Sequence, residues 1–147
     1  MILFLDFDGV LHPKNCEIDL FFCKTGYLWQ LLDAIPELNV VFSTSWREQY
    51  SLSELVEMLC HDPDHECYRD RFISVTPVLK SDIRGNECLQ WLRDNLMADT
   101  RHLAVDDRAD WFNENCYIID PAIGIEKADV ENIINYFSVG HDCHCQF

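Results

Sequence analysis

Apolar residues along this chain alternate between two periods. Ile2 to Phe7 forms a short continuous apolar run, as expected of a strand buried on both faces. Leu28, Leu31, Leu32 and Ile35 then recur at helical spacing within Gly26 to Ile35, and Pro36 stops that helix. Asn39 to Ser43 predicts a second buried strand. Leu52, Leu55, Val56 and Leu59 predict a second helix, with Ser51 or Ser53 as its N-cap. Cys60 to Arg71 is polar and reads as a loop, and Phe72 to Val75 as a third strand. Asn86 to Met97 is a predicted helix with Cys88, Leu89, Leu92 and Leu96 on one side. Strands follow at His102 to Val105 and Tyr117 to Ile119, then a last helix from Lys127 to Phe137. Five strands separated by helices, with no long antiparallel stretch, predict an α/β fold: a three-layer, Rossmann-like sandwich with a mainly parallel five-stranded sheet.

Length and composition fit this picture and narrow it. The chain has 147 residues, the size of one domain, expected over 1–137 with an aperiodic tail over 138–147. At 48% hydrophobic residues it has the material for a packed core. No apolar run reaches the length of a membrane span. Met1 to Leu5 lacks a basic flank and reads as a strand rather than a signal peptide. Eight cysteines raise the question of disulfides. Several lie inside apolar helix or strand patterns, and a chain of this size folds without staples, so a reducing, cytoplasmic compartment is expected. The formal charge of −15 repels nucleic acid and anionic lipid at long range, which disfavours nonspecific polyanion binding.

The candidate chemistry lies at the strand ends. The first strand closes in Asp6-Phe7-Asp8-Gly9, the second in Ser43-Thr44-Ser45 and the fourth in Asp106-Asp107. In a parallel α/β sheet, ligands bind beyond the carboxyl ends of the strands, so these clusters converge on one edge. Buried carboxylates crowded together are costly unless a cation or hydrogen-bond donors meet them. Oxygen-only ligands favour Mg²⁺, which leaves coordination positions for phosphate oxygens. Singly, each cluster has a plainer reading: Asp-Gly is turn chemistry, and Asp106-Asp107 is a helix cap. Their conjunction in βα order favours a site.

These segments resemble the motifs of the haloacid dehalogenase-like (HAD) superfamily. Asp6-Phe7-Asp8-Gly9-Val10-Leu11 is similar to its first motif, Val40-Val41-Phe42-Ser43-Thr44 to its second, and Leu103 to Asp110 to its acidic fourth. The third motif is a basic residue ahead of a helix, for which Lys80 and Arg84 are both candidates. Arg84-Gly85 stands at the helix start, where many relatives carry Lys-Gly, so an arginine there is a departure. Phe42 to Arg47, with Arg84-Gly85-Asn86-Glu87 and Trp91-Leu92, further resembles the small HAD domains of bacterial RNA-repair proteins.

The resemblance implies a Mg²⁺-dependent phosphatase working through an aspartyl-phosphate. Asp6 is then the nucleophile and Asp8 the proton donor and acceptor. The ion is held by the Asp6 carboxylate, the Asp8 main-chain carbonyl and the Asp106 carboxylate, with Asp107 or Asp110 nearby. Ser43 or Thr44, and Arg84 or Lys80, bind the phosphoryl oxygens. Gly9 to Thr25 is long enough only for a short flap, so no cap domain is expected. The open site suits a phosphorylated nucleotide, nucleic-acid end or protein.

Other classes fit less well. A phospho-accepting receiver needs an Asp after the third strand, where Val75-Thr76-Pro77 stands. A catalytically idle HAD-like module that binds a partner protein is the alternative, disfavoured by the intact acidic set. Cys60-His61 and His65-Glu66-Cys67, with His141, Cys143, His144 and Cys145, match no well-known zinc spacing and read as a polar loop and tail. Trp91 reads as core, Trp46 and Arg47 as either packing or site mouth, and His12 as a loop histidine without a role.

Overall fold

The computed structural model describes residues 1–80 and 83–139. Its strands are β1 (Ile2–Leu5), β2 (Asn39–Phe42), β3 (Phe72–Val75), β4 (His102–Asp106) and β5 (Cys116–Ile118). Its α-helices are α1 (Thr25–Ala34), α2 (Leu52–Cys60), α3 (Arg84–Asp94) and α4 (Lys127–Ser138). The sheet has the order β3-β2-β1-β4-β5, and every pairing is parallel. The strand order turns around between β1 and β4, which makes the crevice beyond their carboxyl ends the place for a ligand.

Period-two alternation divides the sheet between two cores. Leu3, Leu5, Val40, Phe42, Leu103 and Val105 face a large cluster completed by α1, α2 and α4. Ile2, Phe4, Val41 and Ala104 face the other side, against Cys88, Trp91 and Leu92 of α3. The three-layer α/β architecture without a cap is therefore as the pattern predicts. Residues 9–24 make a short flap of turns with one 3₁₀ turn at Ile18–Leu20.

Two local expectations change, and one left open is decided. Cys60 to Arg71 is not a featureless loop, because Pro63–Arg71 is 3₁₀-helical. Asp62 caps it by accepting from the Asp64 N–H at 2.9 Å, and Pro63 suits a first helical position. Arg71 anchors its end by donating to the carbonyls of Leu32, Ile35 and Leu38 at 3.2, 2.6 and 2.7 Å. The cap of α2 is Ser51, in a reciprocal box with Glu54.

The second change concerns α3, which starts and ends earlier than expected and buries a different stripe. Arg84, Glu87, Cys88, Trp91 and Leu92 face inward, whereas Leu89 is 36% and Leu96 94% exposed. Two charged residues thus occupy positions that a purely apolar count passes over. Among the described residues, no helix is long and apolar enough to cross a membrane.

Candidate active site

β1 ends by delivering Asp6 into the interior, where its side chain is 7% exposed. The following turn is closed by Val10 and Leu11 N–H donating to the Phe7 carbonyl at 3.0 and 2.9 Å. Gly9 makes the turn possible. Its φ is +77°, and a Cβ there would stand 2.8 Å from Asp107 Oδ2. β4 brings Asp106, fully buried, beside Asp6.

One guanidinium ties the two acids together. Arg84 Nη1, at the start of α3, donates to Asp6 Oδ1 at 3.1 Å and to Asp106 Oδ2 at 3.4 Å. The Arg84 guanidinium lies over the Trp111 ring at 4.7 Å, and Arg108 lies over that ring at 4.2 Å. Asp106 Oδ1 also accepts from the Arg108 N–H at 3.0 Å. Of the two basic candidates, Arg84 is the one at the carboxylates, and Lys80 is exposed.

Carboxylate oxygens of Asp6, Asp106 and Asp107 all lie within 4.8 Å of one another. An all-oxygen carboxylate set this close is of the kind that could hold a hard divalent ion such as Mg²⁺. Burial raises the Asp6 carboxyl above its ordinary range, against the opposing pull of Arg84. Burial, then repulsion from Asp6, pushes Asp106 up to about 7. Crowded acids that resist ionisation in the absence of a metal are what a hard cation relieves. Lys14 meets part of this charge by donating to Asp107 Oδ2 at 2.7 Å.

The Asp8 carboxylate is turned elsewhere. Its Oδ1 lies 2.9 Å from His12 Nε2, and its Oδ2 accepts from Trp46 Nε1 at 2.9 Å. Asp110 is directed to Arg108, in a two-point pair at 3.0 and 2.9 Å, and is exposed. Ser43 follows Phe42, the register partner of Leu5, and so stands beside Asp6 on the adjacent strand end. Ser43 Oγ is buried without a hydrogen-bond partner, whereas Thr44 Oγ1 already accepts from the Trp46 N–H at 3.3 Å. An orphaned buried hydroxyl at this edge fits a phosphoryl oxygen.

Sequence reasoning left several residues of the site unplaced. Arg47 is a buried clamp rather than a residue of the site mouth. It donates to the carbonyls of Ser43, Thr44, Thr76 and Pro77 at 3.0, 2.8, 3.0 and 3.3 Å, and to Glu87 Oε2 at 2.5 Å. Glu87 Oε1 accepts from the Leu79 N–H at 3.0 Å. The pair fixes the loops after β2 and β3 against α3, the helix that carries Arg84. An acid three residues after Arg84, on the inward stripe of α3, was the available signal. His12 is 1% exposed and bonded to Asp8, so it is not a bystander.

Among the described residues, the Cys/His segment forms no metal-capable group. His65 instead stacks on Trp29 at 4.7 Å, and Glu66 accepts from Arg69. His141, Cys143, His144 and Cys145 lie outside the described residues.

No curated protein and no solved structure matches the chain. A family model described as the HAD domain in Swiss Army Knife RNA repair proteins does match it, over residues 2–130. With the acidic set at the β1 and β4 ends and a basic residue opening α3, the chain belongs to this HAD family.

Proposed function

We propose that this chain is a Mg²⁺-dependent phosphatase that removes a terminal phosphate, with a phosphorylated RNA end as the substrate class favoured by its family. The observation that supports it most is the Asp6–Arg84–Asp106 arrangement with Asp107 alongside, at the turnaround point of the sheet. A short flap in place of a cap domain suits a bulky substrate, and the formal charge of −15 selects against binding along a polyanion rather than at its end.

In this reading Asp6 attacks phosphorus, forming the Asp6 Oδ–P bond as the bond to the leaving oxygen breaks. Asp8 gives that oxygen its proton. Water then attacks the phospho-aspartate, Asp8 recovers a proton from it, and Asp6 and phosphate are released. Arg84 and the Ser43 hydroxyl bind equatorial phosphoryl oxygens, where transition-state charge resides. Asp6, Asp106 and Asp107, with the Asp8 carbonyl, would hold Mg²⁺, which offsets repulsion between an anionic nucleophile and an anionic substrate.

The test is hydrolysis of 4-nitrophenyl phosphate and of a 3′- or 5′-phosphorylated oligoribonucleotide. Turnover should require Mg²⁺, stop with a chelator, and fall at least about 10³-fold in Asp6→Asn. Asp6→Asn protein that turns over like the parent rules the mechanism out.

A further inference from the structure

We propose that His12, with Trp46, is a positioning residue that fixes the Asp8 carboxylate for proton transfer to alkyl leaving groups. This rests on the phosphatase reading. The Asp8 side chain is 41% exposed, so packing alone constrains its rotamer weakly. Two N–H donors hold it instead, one on each oxygen: His12 Nε2 and Trp46 Nε1, both at 2.9 Å. They come from different segments, the flap after β1 and the 3₁₀ turn Ser45–Glu48 after β2. Together they pin both the position and the plane of the carboxylate.

The imidazole is itself fixed. His12 is 1% exposed, its ring is stacked on Phe21 at 4.7 Å, and its carbonyl accepts from the Gly9 N–H at 2.9 Å. Its Nδ1 accepts from the Phe22 N–H at 3.3 Å, which assigns the ring proton to Nε2 and makes that nitrogen the donor to Asp8. Trp46 is wedged among Phe7, Phe21 and Phe22, with centroids 5.6, 5.7 and 5.4 Å away. Each Asp8 oxygen keeps a second lone pair, so the carboxyl group can carry and deliver a proton without breaking either bond.

A fixed general acid matters most where the departing oxygen is strongly basic. Acyl and aryl phosphates leave readily without one. Esters of sugar, nucleoside or other alkyl alcohols do not, and a doubly clamped Asp8 is suited to them. A histidine that only filled the core would show no such selectivity, and its loss would slow good and poor leaving groups alike.

The experiment compares kcat and KM for 4-nitrophenyl phosphate and 2-phenylethyl phosphate in wild type, His12→Phe, His12→Gln and Trp46→Phe. Thermal melting confirms that each variant is folded. In His12→Phe, kcat on the alkyl ester should fall about 100-fold at little-changed KM, and much less on the aryl ester. His12→Gln keeps an N–H donor at similar reach and should recover most of the loss. Trp46→Phe keeps the ring packing without the N–H and should shift the alkyl-to-aryl ratio the same way. It decides the matter if His12→Phe fails to fold. Equal losses on the two esters, or Phe performing as well as Gln, overturn the positioning role alone. Turnover that survives Asp6→Asn overturns the phosphatase reading, and this role with it.

Discussion

Two buried charge clusters lie on the α3 side of the sheet, and they are balanced in opposite ways. In the Arg47–Glu87 clamp, all five guanidinium N–H groups are used and both Glu87 oxygens accept. Around Asp6, one Arg84 nitrogen serves two carboxylates, a third stands close by, and the neighbouring Ser43 hydroxyl has no partner. The clamp is complete in itself and holds loops in place. The acidic cluster is left short of positive charge, and in the proposed function a cation with an anionic substrate would complete it. Burial alone therefore does not single out a candidate functional charge; incomplete satisfaction does.

The contrast can be broken most sharply at the clamp. Glu87→Ala leaves the Arg47 guanidinium buried without its counter-charge and should cost about 3–5 kcal/mol in chemical denaturation. A loss under about 1 kcal/mol would put the clamp on a par with surface pairs.

The acidic cluster should respond to metal and pH instead. Asp6 and Asp106 keep their protons to higher pH when folded than when unfolded, Asp106 up to about 7. Their contribution to stability is thus fully present below the ordinary carboxylate range and is lost as pH rises through 7. Mg²⁺ competes with those protons, so it should raise the melting temperature clearly at pH 8 and little at pH 5. Asp106→Asn should abolish that rise while leaving metal-free protein at pH 8 as stable as wild type, or more so. An equal Mg²⁺ effect at both pH values would detach the ion from these acids.

The smallest effect is expected at Lys14, which is 41% exposed and bonded to Asp107. Lys14→Met removes a competing cation and should lower the Mg²⁺ midpoint of a thermal-shift titration a few-fold, with the metal-free melting temperature barely moved. A higher midpoint would mean that Lys14 assists the ion rather than standing in for it.

Much of the fold and part of the site were legible in the chain. Parallel strands buried on both faces leave nearly continuous apolar runs, so β1, β2 and β4 announced themselves, and with them the residues at their carboxyl ends. Asp6, Ser43 and Asp106 were found this way. Helix α3 was harder, because its inward stripe contains Arg84 and Glu87, which an apolar count discards. Trp46 and Arg47 were harder still, since a side chain's partner about forty residues away leaves no periodic trace, and His12, four residues from Asp8 in an aperiodic flap, leaves none either.

By itself, the order of strand-like and helix-like segments determined the sheet, its layers and which acids stand at its edge. Backbone pairing and side-chain alternation are local regularities, and local regularities are written in sequence. Only the tertiary structure decided that Arg84 and not Lys80 bridges Asp6 to Asp106, that Asp8 is gripped by His12 and Trp46, and that Arg47 belongs to the scaffold. Those outcomes depend on rotamers and distances between segments brought together by folding, where a few ångströms separate a clamp from a bystander.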